Sequence, residues 1–160
     1  MDKVISIFGV VLLQYYFYLS LLIRKGLLAA LTFNFTIQMK QQIGIISDDI
    51  VFSFMFSTLL NLRIEHVMVS TCATYQEIDR TFDVSAVNLI LIDGKITTLS
   101  SIEVVRYFRI TKRVVVPIWF FPEITNESYL FKIKEMGVNQ MIYKPFDPYL
   151  IVRNIQLLMK

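Results

Sequence analysis

Asp48, Asp49, Asp93 and Lys144 are the residues whose types and spacing could do chemistry together. The acidic pair follows one apolar run, Ile43-Gly44-Ile45-Ile46, with Ser47 between. Asp93 ends another, Leu89-Ile90-Leu91-Ile92, and Lys144 opens the triplet Lys144-Pro145-Phe146. Three carboxylates brought within a few ångströms repel one another, so near neutral pH they need a cation or must take up protons. Magnesium is the natural occupant, because it prefers hard oxygen ligands, keeps waters, and is held by one or two carboxylates plus a phosphate oxygen. A metal-bound phosphoryl donor beside Asp93 could be attacked by its carboxylate to give an acyl phosphate. Lys144 would then pair with the added charge. Each piece has a plainer reading when taken alone. An aspartate pair between a strand and a helix is a favoured cap, Asp93-Gly94 is a turn signal, and a Lys-Pro pair says almost nothing. Their joint occurrence is what argues for a site.

The elements that must position these residues alternate along the chain. Strands are expected at 43–46, 66–70, 89–92, 114–121 and 140–143. Helices are expected at 50–62, 75–82, 101–110, from a cap at Asn126 to Gly137, and at 149–159 behind Asp147-Pro148, a cap followed by a first-turn proline. Near-continuous apolar strands alternating with helices argue for a parallel sheet covered on both faces. The expected fold is α/β, a flavodoxin-like (βα)5 doubly wound sheet in the order 2-1-3-4-5, preceded by an apolar N-terminal helix. In that order a crevice opens where strands one and three part, at their carboxyl ends, which is where Asp48, Asp49 and Asp93 fall.

From residue 39 to 160 the chain resembles the receiver domain of two-component response regulators. The resemblance rests on Asp48-Asp49, Asp93 and Lys144-Pro145 within five strand-helix units. It implies that Asp48, Asp49, Asp93 and the backbone carbonyl of Lys95 hold magnesium, that Asp93 is the phosphoacceptor, that Lys144 neutralises the phosphoryl group, and that the Lys144-Pro145 bond is cis. A histidine kinase or phosphotransfer protein is then the implied donor, and a further protein the output partner.

Several positions depart from that family. Receivers usually carry a threonine or serine at the end of strand four, followed by a small residue; here Pro122 and Glu123 stand there, and a proline supplies neither a side-chain nor a backbone donor. The aromatic residue that usually rotates on activation is replaced by Met141. Tyr143 lies nearby and is expected to have different neighbours. Thr97 and Ser101 replace a common proline and a common glycine. The acceptor and metal residues survive while the switch residues do not, so the expected function is a single-domain response regulator in phosphorelay signalling whose output is protein contact, with Tyr129, Phe131 or Tyr149 either anchoring a partner or packing within the domain. The alternative is a phosphate-independent adaptor. A phosphatase using Asp93 is the weaker rival, since its haloacid-dehalogenase-like form would want an aspartate where Lys95 stands; no enzyme activity is expected.

Composition adds bounds. The 160 residues are 55% hydrophobic, an excess concentrated in residues 1–38. No charge occurs from Val4 to Ile23, a run long enough to cross a bilayer. Either these residues are an amino-terminal anchor, with Arg24, Lys25 and Lys40 favouring a cytoplasmic receiver, or the chain is properly read from Met39; in both cases the receiver is expected in the cytoplasm, and a membrane is a partner only in the first. The net charge of +3 comes mostly from the first 38 residues, which leaves no basic stripe for nucleic acid. The single cysteine, Cys72, excludes an internal disulfide and suits a reducing compartment. With the single histidine, His66, it reads as two structural residues rather than a catalytic pair.

Overall fold

A computed structural model describes residues 41–74, 77–81, 83–95, 100–123 and 125–159. Lys40–Lys160 form one compact unit. The expected apolar N-terminal helix lies outside the described residues, as do Tyr75 and Thr97. Among the described residues no helix is long and apolar enough to cross a membrane.

The elements are β1 (Gln41–Ile46), α1 (Ile50–Arg63), β2 (Val67–Cys72), α2 (Ile78–Thr81), β3 (Val87–Asp93), α3 (Ser101–Arg106) running into a π-helical turn (Tyr107–Thr111), β4 (Ile118–Phe121), α4 (Glu127–Glu135), β5 (Gln140–Met141) and α5 (Pro148–Leu158). All strand pairs are parallel, in the order β2-β1-β3-β4-β5, which is the flavodoxin-like arrangement expected from sequence.

Strand alternation divides the core. Leu89 and Leu91 of β3, with Trp119 and Phe121 of β4, pack under α1 and α5 against Phe52, Phe56, Leu60, Ile151 and Ile155. Ile90 and Ile92, with Ile118 and Phe120, face the other way and pack against Val104, Val105, Phe108 and Ile133. Both faces of the central strands are therefore covered, so their side chains are apolar without alternation. Rings thicken the first layer: Phe52, Phe56, Phe121 and Phe146 sit with centroids 4.7 to 6.5 Å apart, tilted or edge-on as the ring quadrupoles favour.

Local signals set the helix ends. Asp49 caps α1, its Oδ1 accepting from the N–H groups of Val51 and Phe52 at 2.8 and 3.2 Å. Asn126 caps α4 through the Tyr129 N–H, and Asp147 caps α5 through that of Tyr149, with Pro148 in the first turn. Gly137, at φ +91°, closes the turn after α4 in a conformation that favours glycine.

Strand four is the main departure. An extended run from Val114 was expected, but the ladder begins at Ile118. Arg113 has φ +52° and turns the chain before the run begins. The carbonyls of Val114 and Val116 then go to the Arg109 guanidinium, whose Nη1 donates to them at 2.6 and 2.8 Å. Nε and Nη2 of the same group reach the Gly137 carbonyl at 3.1 and 2.8 Å, and Nη2 also donates to Asn139 Oδ1 at 2.8 Å. One side chain thus replaces a stretch of sheet pairing, holding the start of β4 to the turn before β5.

Candidate functional site

Asp93 is the last residue of β3, where the apolar run ends against Phe121 in the β4 register. It is fully buried, with 0% exposure. A carboxylate there must have partners, because an isolated buried charge costs far more than the fold can supply. Three groups meet it. Lys144 Nζ lies 3.1 Å from Oδ1, Ser47 Oγ lies 3.0 Å from Oδ2, and the Lys95 backbone N–H points at Oδ1 from 3.5 Å.

Lys144 reaches the site because the next residues are pinned. Phe146 enters the ring cluster under α1 and α5, and the Lys144-Pro145 peptide bond is cis, as the resemblance implied. The ammonium also stands 5.8 Å from the centroid of Phe52, within the range of a cation–π contact. Its side chain keeps 39% exposure, so the carboxylate is sealed while its counter-charge remains open to solvent.

Ser47 was not singled out by sequence. It directly follows β1, immediately before the acidic pair, and is buried, with 5% exposure. Its Oγ accepts the Asp49 N–H at 3.0 Å while donating to Asp93. A serine between an apolar strand and two aspartates was the available signal. Ser101 is also buried, and its Oγ donates to the Gly94 carbonyl at 2.8 Å, fixing the turn that follows Asp93.

The acidic pair divides its duties. Asp49 spends Oδ1 on the α1 cap. Asp48, half-buried, lines a groove of about 420 Å³ beside α1 with Ser53, Phe54, Cys72 and Glu77. Among the described residues no group of three or more His, Cys, Asp or Glu side chains is gathered tightly enough to hold a metal. Magnesium asks for less, since one or two carboxylates plus water and phosphate oxygens suffice. Asp49, the cap of α1, and Asp93, at the end of β3, are donors of that kind, and the donor set fits the ion in its chemistry.

The end of β4 carries no hydroxyl, as expected: Phe121 and Pro122 are buried and Glu123 is exposed. It also presses on the site. A Cβ on Gly94 would come within 2.6 Å of the Phe121 carbonyl oxygen and 2.8 Å of the Glu123 nitrogen, so only glycine permits this approach of β3 to β4. The Gly94 N–H donates to the Phe121 carbonyl at 2.8 Å. Met141 is half-buried and packs against the α3–α4 side of the core. Tyr143, expected to have different neighbours, instead donates its hydroxyl to Met141 Sδ at 3.7 Å. Tyr129 packs partly into the same core, whereas Phe131 and Tyr149 are 62% and 59% exposed.

Cys72 and His66 stand apart from this chemistry. Cys72 is buried near the end of β2, where burial first and the Glu77 charge second push its thiol up to about 12. Such a thiol is protonated and inert at neutral pH. His66 is exposed, just before the start of that strand.

The response regulator receiver domain family matches residues 43–156. Among solved structures, the chain is similar to a CheY-like response regulator receiver domain protein of Methanospirillum hungatei, at 20% identity and TM-score 0.62, over 73% of this chain and 91% of that one. It is similar to the chemotaxis protein CheY4 of Vibrio cholerae, at 19% identity and TM-score 0.60, over 74% and 98%. A response regulator receiver protein of Pseudoalteromonas atlantica matches at 14% identity and TM-score 0.63, over 74% and 96%. No curated protein matches the sequence.

Proposed function

Starting from the fact that this chain belongs to the response regulator receiver domain family, we propose that it is a phosphorelay signalling domain in which Asp93 accepts the phosphoryl group and output is by protein contact. The observation that carries this reading is the fully buried Asp93 carboxylate with Lys144 Nζ at 3.1 Å. A buried anion with a half-open cationic partner is poised for added negative charge at the same place.

In the proposed reaction an Asp93 oxygen attacks phosphorus of the donor, the bond from phosphorus to the donor's leaving group breaks, and the electron pair departs with that group. The donor is the phosphohistidine of a histidine kinase or phosphotransfer protein. Lys144 pairs with the resulting charge, and Asp49 with Asp93 would hold magnesium, which would supply positive charge against the phosphoryl oxygens. The domain is a signalling element and not an enzyme acting on an outside substrate.

A second reading, a phosphate-independent adaptor, draws on Pro122 and Glu123. No hydroxyl stands at the end of β4, and a carboxylate follows there. Intact-mass spectrometry of the full chain after treatment with acetyl phosphate and magnesium separates the two. A labile phosphoryl adduct on the wild type that is absent from Asp93→Asn supports the phosphoacceptor; a folded wild type that never gains the adduct supports the adaptor.

A further inference from the structure

We propose that Ser47 is the positioning hydroxyl of this site, doing from the end of β1 what no residue at the end of β4 can do: it fixes the orientation in which the Asp93 carboxylate is presented. The inference extends the phosphoacceptor reading and rests on it for its kinetic part only.

The geometry is specific. The Ser47 hydroxyl has one proton to give. Asp93 Oδ2 lies at 3.0 Å and the Asp49 carbonyl at 3.5 Å, so the proton goes to the nearer, charged acceptor, where the bond is also stronger. The lone pairs of the same oxygen receive the Asp49 N–H at 3.0 Å. This second bond ties Oγ to the backbone at the start of α1. Asp93 is thereby clamped from the segments that follow β1 and β5, by Ser47 on Oδ2 and by Lys144 on Oδ1. A carboxylate pivots about its Cβ–Cγ bond with a broad, shallow preference. Two donors on opposite oxygens remove that freedom before any donor molecule arrives. Orientation of a nucleophile is worth large factors in rate, and small misplacements cost correspondingly.

At the end of β4 the position expected to carry a hydroxyl is a proline. Pro122 has no N–H, and no side chain from Phe121 to Glu123 bears a hydroxyl. Ser47 is therefore the neutral hydroxyl in hydrogen-bond contact with the reactive carboxylate among the described residues.

The test uses the full chain as wild type, Ser47→Ala and Ser47→Thr, with thermal unfolding to establish that each is folded. In the resting protein, the NMR carboxyl-carbon resonance of Asp93 and the ammonium resonance of Lys144 are expected to move in Ser47→Ala and to return towards their wild-type values in Ser47→Thr. Unmoved resonances in the alanine variant would overturn the inference without reference to phosphate. In the kinetic arm, loading from acetyl phosphate with magnesium is followed by intact mass. Ser47→Ala is expected to lower the saturating rate by about tenfold, leave the half-saturating acetyl phosphate concentration unchanged, and be rescued by threonine. Equal loading of wild type and Ser47→Ala would defeat the inference while leaving Asp93 as acceptor. A wild type that never loads would defeat the acceptor reading, and the resonances alone would then decide the role of Ser47.

Discussion

The half of the molecule under α1 and α5 and the edge formed by β4 and β5 are held together by different means. β1 and β3 are in register from Ile43 to Ile46, and their inner residues are fully buried. Beneath them four phenylalanine rings interlock, one of which, Phe146, anchors the segment carrying Lys144. At the edge, β5 pairs with β4 over Trp119–Gln140 and Phe120–Met141 alone, and the chain before β4 hangs on Arg109. The residues matching the acceptor site belong to the first region. Of the residues that depart from the family, Pro122, Glu123 and Met141 belong to the second. The lesson is that the Asp93–Lys144 pair is held by backbone pairing and ring packing, while the edge is a separately fastened piece.

The sharpest way to break this contrast is in the ring cluster. Phe56 has 0% exposure and touches Phe52, Phe121 and Phe146. Phe56→Ala removes the transfer free energy of the ring and leaves a cavity, a loss of about 3–5 kcal/mol. In chemical denaturation it should be the largest of these effects, and the lysine segment should loosen with it. A loss below about 1 kcal/mol would show that the rings are not what fixes that half.

The edge should respond differently. Arg109→Ala leaves the carbonyls of Val114, Val116 and Gly137 without their donor, and a hydrogen bond to a charged group is worth about 1.5–3 kcal/mol. The expected signature is local. Hydrogen exchange should speed up from about residue 114 to 121 and in the turn before β5, with β1 and β3 remaining protected. If protection falls equally everywhere, the edge is not a separately fastened piece.

Gly94 joins the two regions. Gly94→Ala forces a Cβ against the backbone of Phe121, Pro122 and Glu123, where no flexible side chain can yield. Overpacking of this kind costs about 1–3 kcal/mol, and it should shift the Asp93 and Pro122 environments together. An alanine variant as stable as wild type would mean that β3 and β4 can separate at the site freely.

Much of this was legible in the sequence. Unbroken apolar runs at Ile43–Ile46 and Leu89–Ile92 announce strands buried on both faces, and the caps at Asp49, Asn126 and Asp147 follow from local chemistry. The juxtaposition of Asp93 and Lys144 was implied by the family resemblance and not by strand order, since β4 lies between β3 and β5. Other features depend on contacts that strand and helix signals do not contain. Val114–Val116 reads as strand because branched apolar residues favour extended chain, yet its carbonyls are taken by a side chain from the preceding π-helical turn. Ser47 looked like part of the turn after a strand, and only the side-by-side pairing of β1 and β3 brings its hydroxyl to Asp93.

The smallest expected effect lies on the surface beside the edge. Asp79 is bound by Lys112 at 2.7 Å and by the Tyr107 hydroxyl at 3.0 Å, and the Lys112 hydrogen bond first, then that of Tyr107, holds its carboxyl below the usual range. A carboxyl lowered by folding contributes stability that is present above its ordinary pKa of about 3.9 and is lost as pH falls through the lower folded value. The gap in melting temperature between wild type and Asp79→Ala should therefore be steady from about pH 5 upward through neutrality and close as the solution is taken below about pH 4. Because the cluster is exposed, the gap should be small and should shrink with added salt. A gap that persists unchanged into acid would mean that Asp79 acts through the packing of α2 and not through its charge, making this corner of the edge resemble the ring-packed half after all.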